Sequence, residues 1–467
     1  MYLSRRDVLC RAGAGFGTLG LAGALQSAGL LTNSADAAPG GSTAPHFAPR
    51  AKRVIYLFMN GAPSHVDTFD PKPALAKHAG KQPDGKLYKA SKGSGFMPSP
   101  FQFRPHGDSG VVMSELFPNL SKVADDLCIL RSMHTDVPNH EPGLLMMNCG
   151  HLQPVRPSLG SWASYGLGTE NENLPTFVAL CPGLPVVGPQ LWSNSFLPGE
   201  HQGTAIDTNN RTVDKLIANI RHPKLTRPQQ RRQLDLLLKL NRLHKQKRQN
   251  DASLDAHIRA MELAFQMQRE AAEVFDLSKE PKHVHRAYGG SVFGRSCLLA
   301  RRLCEAGVRF TQVYYVTKTG KQPWDTHKNN AAGQRRLCAD SDRATAALLR
   351  DLKRRGLLDD TLVVWGGEFG RTPYAQDKKN PKTAGRDHHH TGFSMVLAGG
   401  GVKGGLMYGN TDEFGMNAVE NRVHVHDLHA TILHLLGMDH KKLTYRYSGR
   451  DFRLTDVHGD VVRGILA

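Results

Sequence analysis

Thr361-Leu-Val-Val-Trp-Gly-Gly-Glu-Phe-Gly-Arg-Thr372 decides the fold class, because an apolar run here ends in a glycine-rich loop that carries a carboxylate. A short apolar run bounded by glycines predicts a strand buried on both faces, as in a parallel sheet. A helical pattern over about 333–355 precedes the strand and stops at Gly356. Helix, glycine, strand and loop together form one repeat of an α/β fold.

The same rhythm continues on both sides of this repeat. Further strands are predicted at 53–59, 127–132, 174–180, 308–316 and 393–398, and further helices at 115–124, 292–306 and 427–436. Alternating strands and helices predict an α/β domain over 51–467, with a mainly parallel sheet sandwiched by helices. Residues 71–110 are rich in Lys, Gly and Pro and predict a long surface loop. Two helices, from Thr226 onward and at about 252–276, predict a helical insertion over about 211–285.

Residues 1–37 have the pattern of an export signal. Arg5 and Arg6 precede a mildly apolar run from Ala12 to Leu31, and Ala35-Asp-Ala37 ends the segment as a small-x-small cleavage site. Paired arginines with a weakly hydrophobic core are typical of twin-arginine signals, which send folded proteins out of the bacterial cytoplasm. The alternative, a membrane anchor, is disfavoured because glycines, Gln26 and Ser27 interrupt the run. We therefore expect an exported, periplasmic protein with no stable membrane span, a partner in the twin-arginine machinery, and a linker at 38–50.

The formal net charge of +18 is concentrated in one region. Twelve lysines and arginines lie between Arg211 and Asn250, against only Asp214 and Asp235. Such a stripe can bind nucleic acid, an anionic polymer or an acidic membrane face. Interleaved aromatic residues and nucleic-acid motifs are missing, and the export signal argues against nucleic acid as a partner. A solvated helical face is the favoured interpretation.

Six cysteines follow the predicted signal, and no two of them form a Cys-x-x-Cys pair. A zinc–thiolate site is therefore not expected. Buried thiols, or one or two disulfides formed after export, remain open, with no role in the chemistry.

Four loops next to the predicted strands carry metal-binding side chain types at high density. They are 60–70 (Asn60, His65, Asp67), 324–327 (Asp325, His327), 366–372 (Glu368, Arg371) and 385–390 (Asp387, His388). In open α/β sheets, ligands bind at the carboxyl ends of the strands, which is where we expect these loops to meet. Mixed imidazole and carboxylate ligands suit Zn²⁺, Mn²⁺ or Fe²⁺ better than Mg²⁺ or Ca²⁺. The sequence therefore predicts one or two divalent ions, most simply zinc or manganese.

Two segments resemble the alkaline phosphatase and sulfatase superfamily. Asp360–Gly370 is similar to its strand that ends in a metal-binding loop, and Val425–Gly437 is similar to its late Asp-x-x-x-Thr helix. Pro118-Asn-Leu120 through Gly150 resembles the segment that carries the nucleophile. The resemblance implies a sulfatase-like or alkaline phosphatase-like fold.

The whole stretch after the signal is similar to an exported bacterial family, domain of unknown function 1501. Its recurrent pieces stand here as G-A-P-S-H-V-D-T-F-D-P-K, W-D-T-H, G-G-E-F-G-R-T-P, G-R-D-H and L-A-G-G-G-V-K-G-G. These motifs are long and keep their order along the chain. The chain is thereby identified as a relative of this family.

The superfamily resemblance implies a set of metal ligands, with departures. Its first-strand carboxylate falls on or near Asn60, so Asp67 or His65 is the expected substitute. Its Asp and His pair is similar to Asp325 and His327. Its Asp-His after the strand falls on Glu368 and Phe369, which keeps the carboxylate and loses the imidazole. A later ligand is expected at His388, beside Asp387.

The nucleophile is the largest departure from the superfamily. Its position falls on His140 instead of Ser, Thr or Cys, and no C-x-P-S-R motif for formylglycine is present. His140 can serve as a base, a metal ligand or a phosphorylatable nucleophile; alternatively the metal activates water directly. Arg371 is the expected clamp for an anionic group.

The resemblance implies two functional hypotheses, and the predicted export signal allows a third. The leading one is a periplasmic metal-dependent hydrolase of phosphate or sulfate esters, with an anionic ester or polysaccharide as substrate. The second is a degenerate relative that binds metal, glycan or a partner in the envelope without turnover. The third is a redox protein with an iron-type metal, for which no haem or iron–sulfur motif is present. Whether the chain is an enzyme stays open at this point.

Overall fold

The computed structural model describes residues 44–82, 95–217, 224–247, 252–376 and 383–467. The predicted signal peptide (1–37) lies outside these residues, as does the first half of the predicted linker (38–50). The rest of that linker, 44–50, is exposed and contains neither helix nor strand.

Apolar, β-branched-rich runs form the strands of the central sheet, where burial on both faces favours them. The strands in chain order are β1 (Arg53–Phe58), β2 (Phe103–His106), β3 (Val111–Ser114), β4 (Leu127–His134), β5 (Phe177–Leu180), β6 (Thr204–Ile206), β7 (Phe310–Tyr314), β8 (Thr361–Gly366), β9 (Gly370–Ala375), β10 (Arg386–His389), β11 (Phe393–Ala398), β12 (Leu406–Tyr408), β13 (Asn410–Thr411), β14 (Ala418–Glu420), β15 (Val423–His424), β16 (Tyr445–Tyr447) and β17 (Arg450–Phe452).

Helices alternate with these strands along most of the chain. They are α1 (His65–Thr68), α2 (Pro73–Lys77), α3 (His140–Cys149), α4 (Leu159–Leu167), α5 (Val213–Leu216), α6 (Arg227–Lys247), α7 (Ala252–Val274), α8 (Lys282–Tyr288), α9 (Val292–Glu305), α10 (Asn330–Arg354) and α11 (Val425–Leu435). Helices α6 and α7 lie where the sequence predicts the helical insertion. In the described part of the chain, no helix is both long and apolar enough to cross a membrane.

The main sheet has the order β12-β4-β11-β8-β1-β7-β5-β6, with β15 also paired to β4. Every pairing in it is parallel except those of β11, which runs antiparallel to both β4 and β8. The predicted α/β fold with a mainly parallel sheet is therefore confirmed. Apolar side chains of the sheet and of helices α9 and α10 form its core.

This topology collects the candidate loops at one edge. Strands β1, β4, β7 and β8 point the same way, so the residues that follow them meet at their carboxyl ends. Because β11 runs in the opposite direction, the segment before it reaches the same edge. Five segments that carry predicted site residues thus meet at this edge, namely the one that precedes β11 and those that follow β1, β4, β7 and β8.

Helix α11 secures the end of α3 through two histidines. The Nε2–H groups of His429 and His426 donate to the carbonyl oxygens of Met147 (2.9 Å) and Gly150 (3.1 Å), which are otherwise unsatisfied at a helix end. Burial lowers the pKa of His429 to about 3, so this ring stays neutral. The contact holds in place the helix whose first residue is His140.

Three local predictions were wrong. The helix predicted at 115–124 is absent; Pro118 disfavours helical backbone before it, and only a 3-10 helix, Leu120–Asp126, forms. The predicted surface loop 71–110 contains α2, β2 and the turn into β3. The predicted loop 385–390 is mostly strand β10, which pairs antiparallel with β9.

Within the described ranges, six cysteines are free and buried, which matches the buried-thiol alternative; they are Cys128, Cys149, Cys181, Cys297, Cys304 and Cys338. Strands β16 and β17 form an antiparallel hairpin over Tyr445–Phe452, a unit of its own.

Candidate metal centre

Three imidazole nitrogens converge on one carboxylate oxygen at the carboxyl edge of the sheet. Oδ1 of Asp325 lies 2.9 Å from Nε2 of His327, 3.2 Å from Nε2 of His388 and 3.3 Å from Nε2 of His140. The Nε2 atoms of His327 and His388 are themselves 3.0 Å apart. Four of the predicted site residues thus share one cluster, although they come from three separate segments.

Asp387 extends the cluster on its open side. Its carboxylate lies 3.7 Å from Nδ1 of His327, and its side chain is 46% exposed. Donor atoms of His140, Asp325 and His388 form one group that can hold an ion, and those of His327, Asp387 and His388 form a second. The two groups share His388, so the donor set suits one ion or two adjacent ions.

Glu368 is fully buried behind His140 and does not face the cluster directly. Its Oε1 accepts a hydrogen bond from Nδ1–H of His140 (2.6 Å) and another from the backbone N–H of Gly61 (3.0 Å). A carboxylate oxygen can only accept here, so Nδ1 carries a proton, and when the ring is in its neutral form Nε2 points its lone pair at the cluster. A carboxylate that orients a ligating histidine in this way is common around metals.

Arg371 orients Asp325 from inside the protein. Its side chain is fully buried, and Nη2 donates to Oδ1 of Asp325 at 2.6 Å. The remaining donors go to the carbonyl oxygens of Gly61, Ala62 and Arg386. Because all three nitrogens are engaged inside the protein, this placement does not support the prediction that Arg371 clamps an anionic substrate.

Two glycines allow the segments of the site to touch. Gly61 has a φ of +106°, and a Cβ there would lie 2.3 Å from the backbone nitrogen of Asp325. A Cβ on Gly385 would lie 2.1 Å from the backbone carbon of His327. Only the absence of a side chain permits such approaches. Glycine therefore sets how closely the loop after β1 and strand β10 approach the Asp325–His327 segment.

The charges of the cluster shift its pKa values strongly. Burial raises the pKa of Asp325, but its close contacts with the three histidines and the charge of Arg371 outweigh it, so the pKa lies well below its ordinary range. Burial lowers the pKa of His140, but Asp325 and Glu368 outweigh it and raise the pKa to about 9. Burial and the charges of Arg371 and His140 lower the pKa of His388.

These shifts bear on cation binding. Asp325 is ionised and His388 is neutral at neutral pH, which are the forms that ligate metals. His140 is the exception, since binding at its Nε2 requires loss of a proton that the two carboxylates hold. Affinity at this ligand should therefore rise with pH up to about 9.

Besides Glu368, three predicted ligands lie outside both groups. Asp67 is fully buried and forms a bidentate ion pair with Arg386 (2.7 and 3.0 Å), so its charge is already neutralised. Nε2 of His65 donates to the carbonyl oxygen of Gly415 (2.8 Å). Asn60 is fully buried, and both polar atoms of its side chain have no hydrogen-bond partner.

Two contributing residues were missed by the sequence analysis. Gln376, just after β9, contacts Nδ1 of His327 through its side chain oxygen, and no motif marks it. Arg386 belongs to the quoted Gly-Arg-Asp-His motif, which is the signal that could have found it. Its ion pair with Asp67 anchors the start of the strand that carries His388.

Glu368→Gln should weaken metal binding although it removes no residue that would contact the ion directly. The substitution keeps the volume of the side chain but removes the charge that makes His140 a basic ligand. Loss of such an outer partner costs about 10–100-fold in affinity. Competition titration with a chelator measures the effect, and Glu413→Gln, at an exposed position, is the matched control. Equal affinity in the two variants would contradict the orienting role.

The fold and the cluster define an α/β protein with a histidine–carboxylate centre at the carboxyl edge of its sheet. The chain belongs to the family described as protein of unknown function (DUF1501), whose model matches residues 51–466. The predicted family is therefore confirmed, and it spans nearly all of the chain that follows the predicted linker.

Solved structures with similar folds include sulfatases and alkaline phosphatases, the superfamily that the motifs resemble. The PsFucS1 sulfatase from Pseudoalteromonas sp. is 13% identical, with a TM-score of 0.37 over 90% of this chain and 72% of that one. The lipoteichoic acid synthase LtaP from Listeria monocytogenes is 8% identical, with a TM-score of 0.41 over 89% and 77%. A variant of TAB5 alkaline phosphatase with magnesium bound is 11% identical, with a TM-score of 0.34 over 84% and 99%.

All three TM-scores are below 0.5, so these likenesses carry no argument about the activity of this chain. No curated protein matches it by sequence.

Proposed function

We propose that the chain is a metal-dependent hydrolase of phosphate or sulfate esters. The observation that carries the proposal is the convergence of three imidazole Nε2 atoms on Oδ1 of Asp325, within 3.3 Å. Three imidazoles and one carboxylate form a typical ligand set for zinc once His140 has lost its extra proton, and manganese is the alternative.

The donor set itself fits a cation. Nε2 of His140 is buried and has no hydrogen-bond partner of good geometry, although Asp325 lies 3.3 Å away. The Nε2 atoms of His327 and His388 face each other at 3.0 Å, so at least one must present a lone pair to the other. A divalent ion held by these atoms would supply Lewis-acid polarisation of an ester oxygen.

The residues around the cluster have separate tasks in this proposal. Glu368 holds the proton on Nδ1 of His140 and so fixes the orientation of the ring. Arg371 holds Oδ1 of Asp325 and keeps that carboxylate ionised. His327 and Asp387 are the most exposed members, at 30% and 46%, so an ester would enter from their side. Asp387 is then the carboxylate nearest the solvent and the best placed to accept a proton.

His140 is not proposed as the nucleophile. It is the first residue of α3, where the superfamily resemblance implies that the nucleophile lies. Both of its ring nitrogens already face carboxylates, Nδ1 toward Glu368 and Nε2 toward Asp325. A ring engaged on both sides is suited to ligation and poorly suited to attack. The proposal is therefore direct attack by water, without a covalent intermediate.

The same observation favours a second candidate, a degenerate relative that binds metal in the envelope without turnover. A histidine stands at the position where the superfamily resemblance implies a nucleophile. The cluster can therefore bind an ion whether or not hydrolysis follows. The export signal predicted from residues 1–37 is compatible with either candidate, since the twin-arginine route carries folded proteins that can load a metal before they leave. We therefore also propose a periplasmic location.

Metal analysis and an ester panel separate the candidates. The full chain is purified from its native compartment, its metal content is measured, and phosphomonoesters, phosphodiesters and sulfate esters are tested before and after chelation. Bound zinc or manganese, with hydrolysis that chelation abolishes and the metal restores, supports the hydrolase. Bound metal with no turnover on any ester selects the binding protein. A chain that binds no divalent metal would overturn both candidates.

A further inference from the structure

Helices α6 and α7 form an antiparallel hairpin, and the last turns of α7 anchor it in the domain. Met267 and Ala271 of α7 are buried in the core of the domain. Arg231 of α6 pairs with Glu262 of α7 at 2.8 Å, and its guanidinium stacks on the ring of Phe265. These contacts keep the two helices together beyond the point where the core ends.

An apolar strip remains exposed on this hairpin. Leu236 and Leu240 of α6, one helical turn apart, are 59% and 54% exposed, and Met261 of α7 is 39% exposed. Together with Leu237 and Phe265 they line an open groove of about 430 Å³. A helix face that contacts only water is expected to be polar, and this one exposes three large apolar side chains. The solvated helical face predicted from the sequence therefore does not account for the apolar strip.

The charges beside this strip are mainly positive. Arg232 lies one turn before Leu236, and Lys239 lies between the two leucines; both are exposed. The acids Asp235 and Glu262 are both paired with Arg231, at 2.6 and 2.8 Å, so these three residues leave one net negative charge against the two other cations. The helix as a whole, Arg227–Lys247, contains only one acidic residue.

We infer that the α6–α7 hairpin docks on the surface of a membrane that contains anionic lipid. Apolar side chains flanked by lysine and arginine are the composition of helices that lie in the membrane interface, with leucines among the acyl chains and cations at the phosphates. An acidic protein surface would complement the cations but would leave the leucines without an apolar partner. This inference is independent of the proposed hydrolase activity, since the hairpin shares no residue with the histidine–carboxylate centre.

Vesicle flotation tests the inference with the full chain. Vesicles of phosphatidylcholine alone are compared with vesicles that also contain phosphatidylglycerol, at low and high salt. We expect binding to the anionic vesicles only, weaker at high salt because ions screen the attraction. The double variant Leu236→Glu/Leu240→Glu should reduce that binding at least about tenfold, since it removes the inserting side chains and adds repelling charge.

The matched control is Val155→Glu/Val186→Glu, at two apolar residues that are 51% and 50% exposed elsewhere on the surface. It should bind anionic vesicles as the unchanged chain does. Vesicle binding that survives Leu236→Glu/Leu240→Glu comes from another segment, such as the apolar run at 12–31, and would overturn the inference. The inference would also be overturned if the chain bound no vesicles and formed a dimer in sedimentation velocity that Leu236→Glu/Leu240→Glu abolishes. A second copy of the chain would then be the occupant of the groove.

Discussion

Asp325→Ala should abolish stoichiometric metal binding and any ester hydrolysis. Oδ1 of Asp325 is the one atom that His140, His327, His388 and Arg371 all contact within 3.3 Å. Its removal takes away a ligand and the charge around which the three imidazoles are arranged. Loss of an outer-shell partner costs at most about 100-fold in affinity. Since Asp325 is proposed to contact the ion directly, its loss should lower the affinity more than about 100-fold. Metal analysis after dialysis measures this loss.

A structural side effect must be separated from the loss of a ligand. Asp325→Ala leaves the fully buried guanidinium of Arg371 without its charge partner, which costs up to about 3–5 kcal/mol. Since Asp325 is itself 28% exposed, the low end of that range is expected. Asp325→Asn keeps the volume and an acceptor for Arg371, so it should preserve the fold and still lose the metal. Asp359→Ala, at an exposed position, is the control for both variants.

Metal retained at full stoichiometry in a folded Asp325→Asn chain would show that the cluster is a hydrogen-bonded network and not a metal centre. That result would remove the basis of the proposed hydrolase. If Asp325→Asn loses both the metal and the fold, the two effects cannot be separated in that variant. Glu368→Gln then provides the test, because it leaves the Asp325–Arg371 pair intact.

Arg386→Met should produce the largest loss of folding stability among the variants considered. Arg386 and Asp67 are both fully buried and joined by two hydrogen bonds, at 2.7 and 3.0 Å. Burial raises the pKa of Asp67, but the charge and hydrogen bonds of Arg386 outweigh it and lower the pKa, so the carboxylate is held ionised. Removal of one partner leaves an uncompensated buried charge, and the free energy of unfolding should fall by about 3–5 kcal/mol.

Urea denaturation measures this loss. The double variant Asp67→Asn/Arg386→Met should recover part of it, because no buried charge then remains. Lys353→Met breaks an ion pair with Asp126 whose lysine side chain is 61% exposed, and should cost no more than about 1 kcal/mol. If Arg386→Met is as mild as Lys353→Met, the buried pair does not stabilise the fold. Metal affinity should also fall in Arg386→Met, since Arg386 begins the strand that carries His388.

Much of the site could be predicted from the residues themselves. Asp325, His327, Asp387 and His388 carry ligand chemistry in short runs, and the rule that parallel strands collect loops at their carboxyl ends placed those runs together. His140 was located by its likeness to the segment that carries the superfamily's nucleophile. These predictions depend on side chain type and strand direction, both of which can be read locally.

Other roles could not be predicted, because they depend on which groups are buried against which. Asp67 and His65 have the same ligand chemistry as Asp325, yet burial beside Arg386 and Gly415 occupies them with internal partners. Glu368 was expected to ligate, but its contact with Nδ1 places it behind His140. Arg371 was expected to face an anion, but the carbonyl oxygens of Gly61 and Ala62 surround it.

The sequence by itself determined the α/β fold class, the order of the main strands and the family, because apolar periodicity, glycine stops and long motifs are properties of contiguous residues. Only the tertiary structure decided that strand β11 runs antiparallel and that residues 386–389 pair with β9. It also decided which carboxylate stands at the centre of the cluster and that leucines of the basic helix are exposed. Pairing partners, burial and the distance between charges are set by segments far apart in the chain, so no local pattern encodes them.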